Sequence, residues 1–73
     1  MDRITLQYQN KTLSINKRQA EKIELRINLM LNKNYWLKLG DILYNFHALN
    51  KVPRTPIQIK EDQINILQEI LTT

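Results

Sequence analysis

Apolar and polar residues alternate at the start of the chain. Ile4-Thr5-Leu6-Gln7-Tyr8 and Thr12-Leu13-Ser14-Ile15 both have the two-residue period of a half-buried strand. With Asn10-Lys11 as a two-residue turn, Tyr8 faces Leu13 and Leu6 faces Ile15, all on one side. Residues 4 to 15 therefore read as a β-hairpin.

The next segment carries two periods. Ala20, Ile23, Ile27, Met30 and Leu31 form a helical stripe. Ile23, Leu25, Ile27, Leu29 and Leu31 also alternate with polar residues, as in a strand. Helix is the stronger reading of residues 22–31. The segment is long and opens with the helix formers Lys17-Arg18-Gln19-Ala20-Glu21-Lys22. Asn16 and Gln19 stand at capping-box spacing. A helix over 17–32 follows, broken at Asn32-Lys33-Asn34.

Beyond the break, Tyr35 to Leu39 is a short apolar stretch. Gly40-Asp41 opens a second helix with Leu39, Ile42, Leu43, Phe46 and Leu49 inward. Pro53 and Pro56 impose an extended connection. Ile57 and Ile59 suggest a short strand. Glu61 to Leu71 closes as a helix with Ile64, Leu67, Ile70 and Leu71 inward, and Glu61 and Asp62 favourably placed in its first turn. The fold class is α+β, a single small domain over 1–73 in the order β-β-α-α-(β)-α.

Composition narrows the picture. The chain has 73 residues, 42% of them hydrophobic, with no cysteine and one histidine. That is too apolar for a disordered tail. A domain of this size buries only about 60% of its unfolded surface. Without disulfides or a zinc ligand set, it must rely on a well-packed core or a partner chain. No apolar run approaches the ~18 residues of a membrane span, and the first residues lack a signal-peptide stretch. The absence of cysteine fits a reducing cytoplasm. Abundant Ile, Asn and Lys with scarce Val, Ala and Gly point to a low-GC genome, such as that of a phage or mobile element.

Charge is uneven. Residues 1–38 hold eight Lys/Arg against three acids, and residues 39–73 hold three against four, for a net +4. A basic half suggests either an anionic partner or a solvated surface.

Catalytic chemistry is not readable. Ser14 is the only serine and lies on a strand face. His47 lies at the edge of a helix stripe, as a structural histidine does. The acids are scattered, and a lone Gly40 cannot cradle phosphates. The expectation is no enzyme, no cofactor and no metal.

Nucleic-acid motifs fit poorly. As read from the sequence, the first two helices, 17–31 and 41–50, are too far apart for a helix-turn-helix, and the last two are separated by two prolines. A ribbon-helix-helix has one strand before its helices, whereas here a hairpin comes first. The hairpin-then-helices order is loosely similar to winged-helix regulators, but no terminal wing is readable.

Partner binding remains. On a helix over 17–32, Leu25 and Leu29 point away from the core stripe, beside Arg18, Lys22 and Arg26 at i, i+4 and i+8. Glu21 and Glu24 lie on the same helix, which disfavours a pure phosphate-binding surface. Tyr44 lies opposite the second stripe. Tyr35-Trp36 beside Lys33 and Lys38 can stack on bases or anchor an interface, although in so small a core the tryptophan is expected inside. Arg18, Lys22, Leu25, Arg26, Leu29 and Tyr44 are the candidate partner-binding residues. The first expectation is a non-catalytic accessory or inhibitor protein that binds a larger protein stoichiometrically, with a homodimer possible through Leu25 and Leu29. The alternative is a small basic DNA- or RNA-binding regulator.

Overall fold

A computed structural model describes residues 2–73. Two strands, β1 (Arg3–Tyr8) and β2 (Lys11–Asn16), form the hairpin. Two helices, α1 (Lys17–Asn28) and α2 (Lys33–Leu49), follow. A two-residue strand β3 (Ile57–Gln58) and a helix α3 (Glu61–Thr72) close the chain. The class is α+β, in the order read from the sequence.

β1 is the central strand. β2 pairs with it antiparallel, and β3 pairs with it parallel on the other edge. The turn is Gln9-Asn10 rather than Asn10-Lys11. Ile4 therefore faces Ile15, Leu6 faces Leu13, and Tyr8 faces Lys11. The physical reason lies at the far end of the hairpin. The expected register would set Ile4 opposite Lys17, which belongs to α1. The observed one pairs Ile4 with Ile15 and frees Asn16 to cap the helix. The shift is two residues, so the same residues still face inward. Gln9, not Asn10, takes the left-handed conformation, with φ of 50°.

The inner sheet face contributes Ile4, Leu6 and Ile15 to the core, with Leu13 and Ile57 packed beside them. The other face is polar. There Arg3 Nε donates to Ser14 Oγ at 3.0 Å, and Gln58 Nε2 donates to Gln7 Oε1 at 3.1 Å.

α1 is a helix, so the strand-like alternation of residues 23–31 is overridden. Its capping box is complete: Gln19 N–H donates to Asn16 Oδ1 at 2.8 Å, and Asn16 N–H donates to Gln19 Oε1 at 2.9 Å. Ala20, Ile23 and Ile27 are buried against the sheet and α2. The helix stops at Asn28, four residues short of expectation. Leu29 and Met30 N–H groups donate to the carbonyls of Arg26 and Ile27, tightening the end by i→i−3 bonds. Leu31 is therefore not on the inward stripe but fully exposed.

α2 also departs from expectation. It begins at Lys33, and Gly40 lies in its interior rather than at its start. The reason is the spacing Trp36, Leu39, Leu43, Phe46, which places four buried residues on one face without interruption. Trp36 is a core residue. Ile42 is half-buried, and Leu49, expected inward, is exposed. Asn50 ends the helix in the left-handed conformation at φ 57°. α1 and α2 are thus joined by only residues 29–32, so the long gap that argued against a helix-turn-helix is not there.

α3 buries Ile64, Leu67 and Ile70, with Leu71 half-buried. Its start is pinned to the start of α2. Tyr35 Oη donates to Asp62 Oδ1 at 2.5 Å, and the buried Gln63 donates through Nε2 to the Tyr35 carbonyl at 3.3 Å.

Candidate partner-binding face

Helical periodicity sets the outer side of α1. With Ala20, Ile23 and Ile27 turned inward, Arg18, Lys22, Leu25 and Leu29 face solvent at i, i+4, i+7 and i+11, and Arg26 flanks them. All five are exposed, Leu25 by 60% and Leu29 by 80%. Lys22 Nζ donates to the Thr73 main-chain oxygen at 3.1 Å, which ties the basic row to the end of α3. Arg26 and Leu29 border a shallow dish with Met30 and Ile70.

Tyr44 is not part of that row. It stands on α2, across a groove from α1. The groove has a volume of about 260 Å³, with Glu24, Ile27 and Asn28 on one wall and Trp36, Leu37 and Tyr44 on the other. Gly40 lies on its floor, where an added Cβ would meet nothing within 4 Å. Lys33 and Asp41 complete the lining.

The Glu24–His47 pair was not legible in the sequence, because the two residues meet only when α1 packs on α2. His47 Nδ1 lies 2.8 Å from Glu24 Oε2 and 3.1 Å from the Leu43 carbonyl. Both side chains are largely buried. The contact to the carboxylate is close but poorly aligned. It acts as a charge pair when the ring is protonated, and Oε2 has no hydrogen-bond donor. The Tyr44 ring meets the His47 ring edge-on, with centroids 5.7 Å apart.

A second cleft, about 320 Å³, lies between α2, β3 and the start of α3, with Ile42, Ile57 and Ile59 inside and Lys38 and Lys60 at its rim. Here the polar groups satisfy one another. Lys60 Nζ sits 4.9 Å above the Tyr35 ring, and the Asp62 carboxylate accepting the phenol raises the Tyr35 pKa from 10.0 to about 12. This region reads as a seam that locks α2 to α3. Gln63 was missed by sequence reading because its partners lie far away along the chain.

No protein-family model matches the chain, and no match to it was found among curated proteins or solved structures. Among the described residues, no three His, Asp or Glu side chains are grouped to hold a metal ion, and no helix is long and apolar enough to cross a membrane.

Proposed function

We propose that the protein is a non-catalytic binding module, an accessory or inhibitor that docks stoichiometrically on a larger protein through the outer side of the α1–α2 pair. One observation carries this reading. Among the described residues, all seven large exposed hydrophobics (Leu25, Leu29, Leu31, Leu37, Tyr44, Leu49 and Val52) fall between positions 25 and 52. The open sheet face and α3 contribute none. Apolar exposure concentrated in the two-helix segment of a small domain points to an interaction surface there. The basic row Arg18, Lys22, Arg26 borders it as a charged rim.

The test compares two sets of substitutions. Leu25→Ala with Leu29→Ala should abolish capture of the native partner while the fold survives, because neither side chain is in the core. Arg18, Lys22 and Arg26 all changed to Gln should mainly slow association, as rim charges do. The reverse ranking defeats the protein-partner reading.

A second reading, a small DNA- or RNA-binding regulator, is favoured by the short turn of residues 29–32, which has helix-turn-helix length. Against it, the outward side of α2 carries the exposed Leu37, Asp41 and Tyr44 among the exposed donors Asn34 and Lys38. Apolar side chains at Leu37 and Tyr44 make no hydrogen-bonding readout through their carbon surfaces, and the Asp41 carboxylate would repel phosphates.

A further inference from the structure

We infer that in the free protein the α1–α2 side is closed by a second copy of this chain. The dimer is two-fold, and the α1 leucines of each copy lie in the α1–α2 groove of the other. The inference rests on the reading that this side is a docking surface, and it names the first occupant of that surface. Binding of a different protein then competes with the dimer.

The shape of the groove is the first support. Gly40 sits in mid-helix with an ordinary negative φ, and nothing lies within 4 Å of where its Cβ would project. Nothing inside the chain requires the missing side chain, yet a mid-helix glycine costs about 1 kcal/mol relative to alanine. The space it leaves opens outward, between the exposed Leu37 and Tyr44 and the wall of α1.

Charge is the second support. The chain carries +4 overall, but the groove lining holds Asp41 and the Glu24 carboxylate, itself set against His47, with Lys33 as the one base. Its complement is a ridge that is both apolar and basic. The outer side of α1 is such a ridge, with Leu25 and Leu29 beside Arg18, Lys22 and Arg26.

The third support is that α1 supplies both halves. One flank of the helix, through Glu24 and Ile27, is a wall of the groove, and the adjoining face carries the leucines. A patch that is both groove and filler is self-complementary, and a two-fold axis alongside α1 satisfies both copies at once. An interface of ordinary size takes about 800 Å² from each partner, roughly a seventh of the 5214 Å² surface of this chain.

Sedimentation equilibrium on the full chain at high micromolar concentration tests the dimer, with Gly40→Leu and Leu25→Glu run beside the wild type. An added Cβ at Gly40 meets nothing within 4 Å, so Gly40→Leu projects into the groove, and Leu25→Glu changes an exposed position; circular dichroism should show both folded. The expected result is a wild-type dimer and at least a tenfold weaker association in each variant. A strictly monomeric wild type, or variants that dimerise as tightly, overturns the inference. Capture of a native partner by the wild type, and its loss in the Leu25/Leu29 pair, is a separate readout. A monomer that still captures its partner removes the dimer alone, whereas a dimer whose leucine pair is neutral for capture removes the partner reading alone.

Discussion

Ile27 and Phe46 show how much of the stability of this domain rests on single side chains. Phe46 is fully buried and Ile27 nearly so, and both belong to the one core cluster. Truncating either to alanine should cost about 2–5 kcal/mol, as large-to-small core changes do. A staple-free domain of this size holds only about 3–5 kcal/mol in total, so Ile27→Ala or Phe46→Ala should leave much of the protein unfolded. Thermal melts within a degree or two of wild type would show that the core is misassigned. Tyr35 makes a different contribution, tied to pH. Its folded-state pKa is raised to about 12 because the Asp62 carboxylate accepts a hydrogen bond from the neutral phenol, and burial and the Asp62 charge add to the effect. Between pH 10 and about 12 the unfolded chain releases a proton that the folded chain keeps, so stability falls as pH rises through that window and is fully present below it. Relative to Tyr35→Phe, the advantage of the wild type should be constant below pH 10 and fade toward pH 12. Urea titrations at several alkaline pH values would check this, and an advantage unchanged at pH 12 would remove Tyr35 from the seam.

Among the elements, α2 is where local signals misled and tertiary packing decided. Gly40 looks like a helix breaker, and Asn32-Lys33-Asn34 like a loop. The buried set Trp36, Leu39, Leu43, Phe46 nevertheless spans Gly40 with unbroken helical spacing. Burial of four large side chains outweighs the roughly 1 kcal/mol that one glycine costs. Because an added Cβ at Gly40 meets nothing within 4 Å, Gly40→Ala should raise stability by about 1 kcal/mol. A destabilised Gly40→Ala in urea denaturation would mean that the groove is packed tighter than described. The hairpin was legible because its face is set by parity, but its turn was not, since a shift of two residues leaves the pattern intact. The start of α1 was legible in Asn16 and Gln19. Its end was not, because no glycine or proline marks Asn28.

For the whole molecule, the division of surface is the informative feature. One face of the sheet is polar, and among the described residues the exposed large hydrophobics all lie between positions 25 and 52, on α1, α2 and the loops that follow them. Leu25 and Leu29 were identifiable from the sequence as surplus to the core stripe. Leu37 was hidden in a stretch read as a short apolar run, and the groove beside it could not be read without knowing how α1 packs on α2. The central claim is that the α1–α2 side binds protein by apolar anchors, and the most direct measurement is the salt dependence of affinity for the native partner. Between about 50 mM and about 200 mM salt, binding through phosphate contacts loses affinity steeply, with a slope of about −0.9 per contact on duplex DNA. The expected result is an affinity that changes by only a few-fold over that range and is indifferent to nuclease. A steep loss with salt, together with release of the bound material by nuclease, would contradict the protein-binding account and establish the basic half of the chain as a nucleic-acid surface.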